Sequence, residues 1–360
     1  LKFLKKLSQL VIPAVLALIT CCVLLLFMGQ QAHAVGAGFS ISPVYPDNQV
    51  GGDNGAFNII AKPGTRQELG LKLVNKENKD RIIQVKLNTS FTDSDGSIQY
   101  TQPKSQIAKD NTIKYYVSDF VPKPQVQNVK INAQSTGYVM FNLDIPSSGW
   151  QGYLLGGFIA IPMNEDTTTT EQKGTLLHQR FGLTVPLAMR TDANYSSTIK
   201  LRLNTIRPKM LPMNTLGIAV NVQNTRPTYT QNDLNINATV TRKGSKKVLH
   251  SAKVTKTSFA PNSNYDFGIS WQGKPLEPGK YHLSWKSNIG GVQNWNFERD
   301  FTISNADAQR LNNQAGFKPN YLWLWIILAI LLIVLIIVIA YYYGRKKNKQ
   351  NNNPTRSTRS

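Results

Sequence analysis

Leu69-Gly-Leu-Lys-Leu-Val74, followed by Ile83-Gln-Val-Lys-Leu87, alternates apolar and polar side chains. Successive side chains of an extended strand point to opposite faces, so a period of two marks strands with one wet and one buried face. The same reading extends outward. Tyr138-Val-Met-Phe-Asn-Leu-Asp-Ile145 alternates and ends at Pro146. Residues 153–161 form a continuous apolar run around Gly156 and Gly157, which predicts a central strand with a kink or bulge at the glycines. Further on, Ile199-Lys-Leu-Arg-Leu203, Leu216-Gly-Ile-Ala-Val-Asn-Val222, Leu234-Asn-Ile-Asn-Ala-Thr-Val240, Tyr281-His-Leu-Ser-Trp285 and Trp295-Asn-Phe-Glu-Arg-Asp-Phe-Thr-Ile303 alternate. Asp95-Gly96 and Gly290-Gly291 mark hairpins, and Pro278-Gly279 opens a turn into Tyr281. Turn signals at about every 8–12 residues are typical of β-sandwiches. The expected fold is all-β, two tandem immunoglobulin-like β-sandwich domains, with a single larger jelly roll as the alternative. No long 3.6-residue period occurs before Asn305, and residues 305–314 read as a short helix or a stalk.

The ends of the chain set the compartment. Lys2, Lys5 and Lys6 precede an apolar run over 7–28, and Ala32-His33-Ala34 is a small-x-small cleavage signal. Residues 1–34 therefore read as a secretory signal peptide. Leu18-Ile19-Thr20-Cys21 lacks the small residue expected before a lipidated cysteine. Residues 321–343 are apolar and carry no charge. As a helix they reach roughly 35 Å, enough to cross a hydrocarbon core of about 30 Å. Tyr321, Trp323 and Trp325 at one end, and Tyr341, Tyr342 and Tyr343 at the other, form an aromatic belt. Arg345, Lys346, Lys347 and Lys349 follow at once. Basic residues stay cytoplasmic, so the tail 344–360 is expected inside and the rest outside the cell, spanning the membrane once.

Asn164-Glu-Asp-Thr-Thr-Thr-Thr-Glu-Gln-Lys-Gly174 is wholly polar and reads as a linker. It divides the exterior into a first domain at 35–163 and a second at 175–304, with a stalk at 305–320. Both cysteines, Cys21 and Cys22, fall in the signal, so the mature domains hold together without disulfides. Of the net charge of +21, +3 belongs to the signal and +6 to the tail, leaving +12 outside. A basic exterior suits an anionic neighbour such as teichoic acid or lipid headgroups. Nucleic acid does not fit that compartment.

Chemistry-bearing constellations are scarce. His178, His250 and His282 are far apart without metal-ligand spacing, and each reads as a solvent-facing strand residue. No nucleophile elbow or phosphate loop occurs, and no cofactor or metal site is assigned. Asp93-Ser-Asp95-Gly96 reads as a turn and not a calcium loop, because Ser97-Ile-Gln-Tyr100 looks like a returning strand. Leu211-Pro-Met-Asn-Thr215 reads as a loop. Tyr100, Tyr115, Tyr116, Trp150 and Tyr153 are candidate glycan-binding residues, because aromatic faces suit sugar rings. Their alternative is a place in the core, where Trp271, Trp285 and Trp295 are expected.

Several motifs carry a family resemblance. Phe39-Ser-Ile-Ser-Pro43-Val-Tyr-Pro46-Asp-Asn-Gln49, Pro63-Gly64 before a strand ending at Asn75, and Thr92-Asp-Ser-Asp-Gly96-Ser-Ile-Gln-Tyr100 resemble the WxL-interacting proteins of Gram-positive bacteria. Gly182-Leu-Thr-Val-Pro-Leu187, Leu276-Glu-Pro-Gly-Lys-Tyr281 and Trp295 to Ile303 are similar to that family's second domain. The resemblance implies a non-catalytic surface scaffold with a peptidoglycan-binding first domain and a second domain that binds host matrix or surface proteins. It also implies a WxL-domain protein as partner; this chain has no Trp-x-Leu of its own. A wall-polymer-modifying enzyme, or a purely structural membrane-anchored subunit, is the alternative.

Overall fold

The computed structural model describes residues 38–163, 168–172, 175–179, 182–317 and 322–350. The signal peptide expected at 1–34 lies outside the described residues. In chain order the strands begin with β1 (Phe39–Val44), β2 (Phe57–Ile60), β3 (Arg66–Asn75), β4 (Arg81–Thr89), β5 (Phe91–Thr92) and β6 (Ile98–Gln99). Next come β7 (Val126–Ile131), β8 (Thr136–Asp144), β9 (Leu154–Pro162), β10 (Thr168–Gln172), β11 (Thr175–Gln179) and β12 (Leu183–Arg190). The remainder are β13 (Leu201–Leu211), β14 (Thr215–Asn224), β15 (Thr230–Arg242), β16 (Val248–Phe259), β17 (Ser263–Ser270), β18 (Gly279–Ile289) and β19 (Gln293–Ile303). Helices α1 (Asn305–Gln314) and α2 (Leu322–Gln350) follow.

The chain divides into two compact units. The first takes in residues up to Ser90, Tyr100–Gln106 and Tyr115–Tyr195. Its sheets are β1-β3-β8 and β2-β12-β9-β4-β7. The period of two places Leu69, Leu71 and Leu73 of β3 and Ile83, Val85 and Leu87 of β4 inside. Phe141 of the first sheet meets Phe158 of the second at 5.0 Å, and Phe57 lies 5.7 Å from Phe158. Apolar rings from two sheets meeting in one interior make a sandwich.

One expectation changes here. The register of β9 against β4 and β12 is continuous through Gly156 and Gly157, so this central strand has no bulge. The glycines answer close approach instead. A Cβ on Gly156 would stand 2.7 Å from the Asn88 carbonyl, and one on Gly157 would stand 2.7 Å from the Tyr100 ring. Gly157→Ala is expected to destabilise the first unit by about 1–3 kcal/mol through overpacking. Urea denaturation would measure it, and an unchanged midpoint would remove the close-packing account.

The domain boundary is expected at the polar stretch 164–174. That stretch contributes to a hairpin, β10 paired with β11. After it, β12 returns to the first unit, antiparallel to β9 and parallel to β2, and the unit runs on to Tyr195. Val185, Leu187 and Met189 of β12 are buried in the first core.

The second unit comprises Phe91–Gln99, Ile107–Lys114 and the chain from Ser196. Its sheets are β13-β14-β17 and β16-β15-β18-β19. Phe267 on β17 and Trp285 on β18 meet edge-to-face at 4.8 Å across this second sandwich. Trp271 and Trp285 are buried as expected, and Trp295 packs part-buried against the same core. The hairpin β5–β6 turns through Asp93 to Gly96, with the Gly96 N–H donating to the Asp93 carbonyl at 2.9 Å. The hairpin docks within this unit. Ser258 N–H donates to the Gly96 carbonyl at 2.7 Å, and Ala260 N–H donates to Thr92 Oγ1 at 3.0 Å. Residues 91–99 and 107–114 thus build part of the second unit.

Residues 305–314 are helical and not a stalk. Ser304 Oγ accepts from Asp307 N–H at 3.0 Å as the N-cap, and Ala308 and Leu311 are buried. In α2, the segment Leu324–Tyr341 is long and apolar enough to cross a membrane. Trp325 and Tyr341 stand exposed near its two ends. Trp323, Tyr342, Tyr343, Arg345, Lys346 and Lys347 lie on the same helix, and Tyr321 lies outside the described residues.

Candidate binding surfaces

The five candidate aromatic residues occupy different settings in the first unit. Trp150 is only 9% exposed and belongs to the core. Its ring lies 5.4 Å from Phe120 and 6.4 Å from Tyr115. Thr191 Oγ1 clamps the backbone there, accepting from Trp150 N–H at 3.1 Å and donating to the Trp150 carbonyl at 2.6 Å. Tyr115 is half-buried, with its hydroxyl 3.0 Å from Ser148 Oγ. Tyr116 lies under Lys104 Nζ, 4.3 Å from the ring centre, and the same lysine pairs with Asp119. Tyr100 packs at Gly157, and its carbonyl accepts from Asn88 Nδ2 at 2.8 Å.

Tyr153 belongs to a corner the sequence did not disclose. Its ring lies 6.2 Å from Tyr195 and 5.1 Å from the Arg190 guanidinium. Arg190 is buried, donates from Nη1 to Asn58 Oδ1 at 2.9 Å, and has no ion pair among the described residues. Its Nε is buried without a partner, as is Trp150 Nε1. A buried cation without a carboxylate is costly to keep. Cation–π contact and an amide oxygen supply part of the compensation. Tyr153, Tyr195 and the Arg190 guanidinium thus form an aromatic corner with a cationic wall.

In the second unit, the outer face of β13-β14-β17 is lined with amides. The β-bulge between Leu203 and Thr205 accompanies Asn204, which donates to Asn221 Oδ1 at 3.0 Å. Gln223 Nε2 donates to Asp110 Oδ1 at 2.7 Å, and Asn264 Nδ2 donates to the Lys109 carbonyl at 2.9 Å. These residues surround an open cavity of about 440 Å³. Beside it, a second cavity of about 680 Å³ lies among Asp93, Lys209, Met213, Asp266 and Gly268. Burial alone would raise the Asp266 carboxyl, but hydrogen bonds from Lys209 and Asn221, with the charges of Lys209 and Arg207, hold it below the usual carboxylate range.

Two histidines separate. His282 is solvent-facing as expected, but it is not idle. Its Nδ1 lies 2.7 Å from Asp300 and its Nε2 lies 2.9 Å from Glu298, while Lys243 also pairs with Asp300. Hydrogen bonds to Asp300 and then Glu298 raise its pKa above the ordinary value. A raised folded pKa favours the folded state fully below the unfolded value of about 6.5, and the benefit fades as pH rises through the folded value. The urea midpoint of the second unit is therefore expected to fall between pH 6 and pH 8 by more than in His282→Gln. Identical profiles would remove the network's role. His250, also expected to face solvent, is instead 8% exposed and stacks on Trp271 at 4.0 Å. Burial lowers its pKa. An imidazole at an inward position of β16 is apolar enough to cap an indole face. His178 lies on β11, and its side chain lies outside the described residues.

Among the described residues, no group of three His, Cys, Asp or Glu side chains could hold a metal ion. No curated protein matches the chain in sequence. Among solved structures, the chain is similar to the Pseudomonas aeruginosa CupB2 chaperone, at 13% identity, covering 66% of this chain and 95% of that one with a TM-score of 0.26. It is also similar to the E. coli chaperone DraB, at 13% identity, 74% and 98% coverage and a TM-score of 0.27. Likeness at this level says nothing of ligand or partner. The family models are specific. Residues 39–161 match the peptidoglycan binding domain of the WxL Interacting Protein family, and residues 172–313 match its host binding domain. With both models in order along most of its length, the chain belongs to the WxL-interacting protein family.

Proposed function

We propose that this protein is a non-enzymatic binding scaffold of the Gram-positive cell surface, fixed to the membrane by α2 and working beside a WxL-domain protein. The observation that carries the reading is the succession of a peptidoglycan binding domain, a host binding domain and a membrane-length helix in one chain. Arg345, Lys346, Lys347 and Lys349, at the C-terminal end of α2, support a cytoplasmic tail and exterior β units. Tethering beside the wall keeps the local concentration of glycan high, so modest affinity per contact is enough.

For the glycan contact, Tyr153 with Arg190 and Tyr195, and Tyr115 with Ser148 beside Trp150, are the favoured groups. Tyr116 and Tyr100 contribute flanking ring surface. Trp150 acts from beneath as a support for Tyr115. The test is retention of residues 38–317 on purified peptidoglycan. Tyr153→Ala is expected to weaken retention about tenfold, the loss of one ring contact of 1–2 kcal/mol. Retention no greater than that of an unrelated basic protein would end the glycan claim. Unchanged wall fragments by mass spectrometry are expected, and new cleavage products would overturn the non-enzymatic reading.

A further inference from the structure

We propose that the end of the second unit nearest its exit to the membrane is a lysine surface that docks on the anionic phospholipid headgroups of the bilayer α2 enters. This rests on the reading of α2 as membrane-spanning with the β units outside.

Charge is unevenly shared between the two units. Residues 91–99, 107–114 and 196–317 hold eighteen basic and nine acidic side chains, a net +9. The first unit from residue 38 holds thirteen and eleven, a net +2. The basic excess gathers at one end of the β16-β15-β18-β19 sheet. The turn from β15 to β16 reads Arg242-Lys-Gly-Ser-Lys-Lys247. Lys243 N–H donates to the Lys280 carbonyl at 3.0 Å, which holds this turn beside the start of β18. Arg242 Nη1 donates to the Pro278 carbonyl at 3.0 Å, tying the turn to the loop that carries Lys274.

That loop is also where the chain leaves for the membrane. Gly279 pairs with Ile303, the last residue of β19. Asn312 of α1 exchanges two hydrogen bonds with Leu276, at 2.7 and 3.0 Å. Ala315 and Phe317 still pack against the core of the unit. Only residues 318–321 separate Phe317 from the first residue of α2. Five residue steps span at most about 18 Å, so this end cannot stand far from the headgroups.

The cations divide by partner. Arg242 pairs with Glu277, and Lys243 pairs with Asp300 at 2.7 Å. Lys246, Lys247, Lys274 and Lys280 are exposed and have no ion pair among the described residues. Val248 and Leu249, 51% and 36% exposed, continue the turn with apolar surface. Basic side chains beside exposed aliphatic ones suit a phosphate-rich interface above hydrocarbon. Each lysine near an anionic surface favours contact about fivefold, and the tether removes the cost of finding it.

The full chain in lipid nanodiscs tests this by amide hydrogen exchange. In discs rich in phosphatidylglycerol, residues 243–249 and 272–280 are expected to exchange at least about tenfold more slowly than in phosphatidylcholine discs. The difference is expected to vanish in K246E/K247E/K274E/K280E and in high salt, while the amides around Trp285 stay protected in the variant. Equal exchange in the two lipids would overturn the proposal. So would slowing that appears only when soluble poly(glycerol phosphate) is added, since the partner would then be wall polymer. Rapid exchange across Leu324–Tyr341 would instead sink the membrane-spanning reading on which the proposal stands.

Discussion

A fragment of residues 196–317 is expected to be less stable than the same residues in the longer chain by roughly 5 kcal/mol. It begins at the start of the second unit's main segment, yet it omits Phe91–Gln99 and Ile107–Lys114, which belong to that unit. Hydrogen bonds to the rest of the unit go with them, six of the main ones as follows. Ser258 N–H loses the Gly96 carbonyl, Ala260 N–H loses Thr92 Oγ1, and Ser263 loses Thr92. Gln223 loses Asp110, Asn264 loses the Lys109 carbonyl, and Asn262 loses Thr112 Oγ1. Water replaces each at a net loss of about 0.5–1.5 kcal/mol. Domains of this size are stable by about 5–15 kcal/mol, so the fragment sits near the edge of folding. Urea denaturation followed by tryptophan fluorescence would compare it with residues 38–317. Equal midpoints for the second unit would show that the two segments contribute nothing. Binding assays on the second unit should therefore carry residues 91–99 and 107–114 as well.

Trp285→Ala is expected to destabilise the second unit by about 3–5 kcal/mol. Trp285 is fully buried, meets Phe267 edge-to-face across the sheets, and donates from Nε1 to Ser287 Oγ at 3.2 Å. Its removal leaves a cavity that two pleated sheets cannot close, because both are held by continuous ladders. Trp295→Ala is the control, since that ring is part-buried on the edge strand β19 and should cost less than half as much. A Trp285 variant no weaker than the Trp295 variant would contradict the placement of the core.

Strand alternation announced most of the ladder. Leu69 to Val74, Ile83 to Leu87, Leu216 to Val222 and Tyr281 to Trp285 all lie in strands with the expected residues inside. The turns at Gly96 and Gly290-Gly291 were legible because a left-handed backbone there favours glycine, and each adopts positive φ. The glycines of β9 were read as a kink or bulge and no bulge forms, since a missing side chain looks the same whether the strand bulges or a neighbour presses close. Which sheet β12 would join was not legible from its own residues, because its partner strands come from residues far along the chain. The candidate aromatics show the same limit. Ring type was visible, but not that Trp150 faces inward while Tyr153 meets Arg190. His250 lost its expected exposure because its strand face was settled by pairing with β15.

The order of apolar and polar residues alone determined that this chain makes β-sandwiches and ends in a membrane-length helix, since burial pattern and hydrophobic length are local properties. Only the tertiary structure decided which residues group into each compact unit, which buried arginine stands beside which ring, and which lysines gather around the β15–β16 turn and the start of β18. Those are matters of contact between distant residues. A strand's own sequence chooses its faces, but its neighbours are chosen by the whole core it closes.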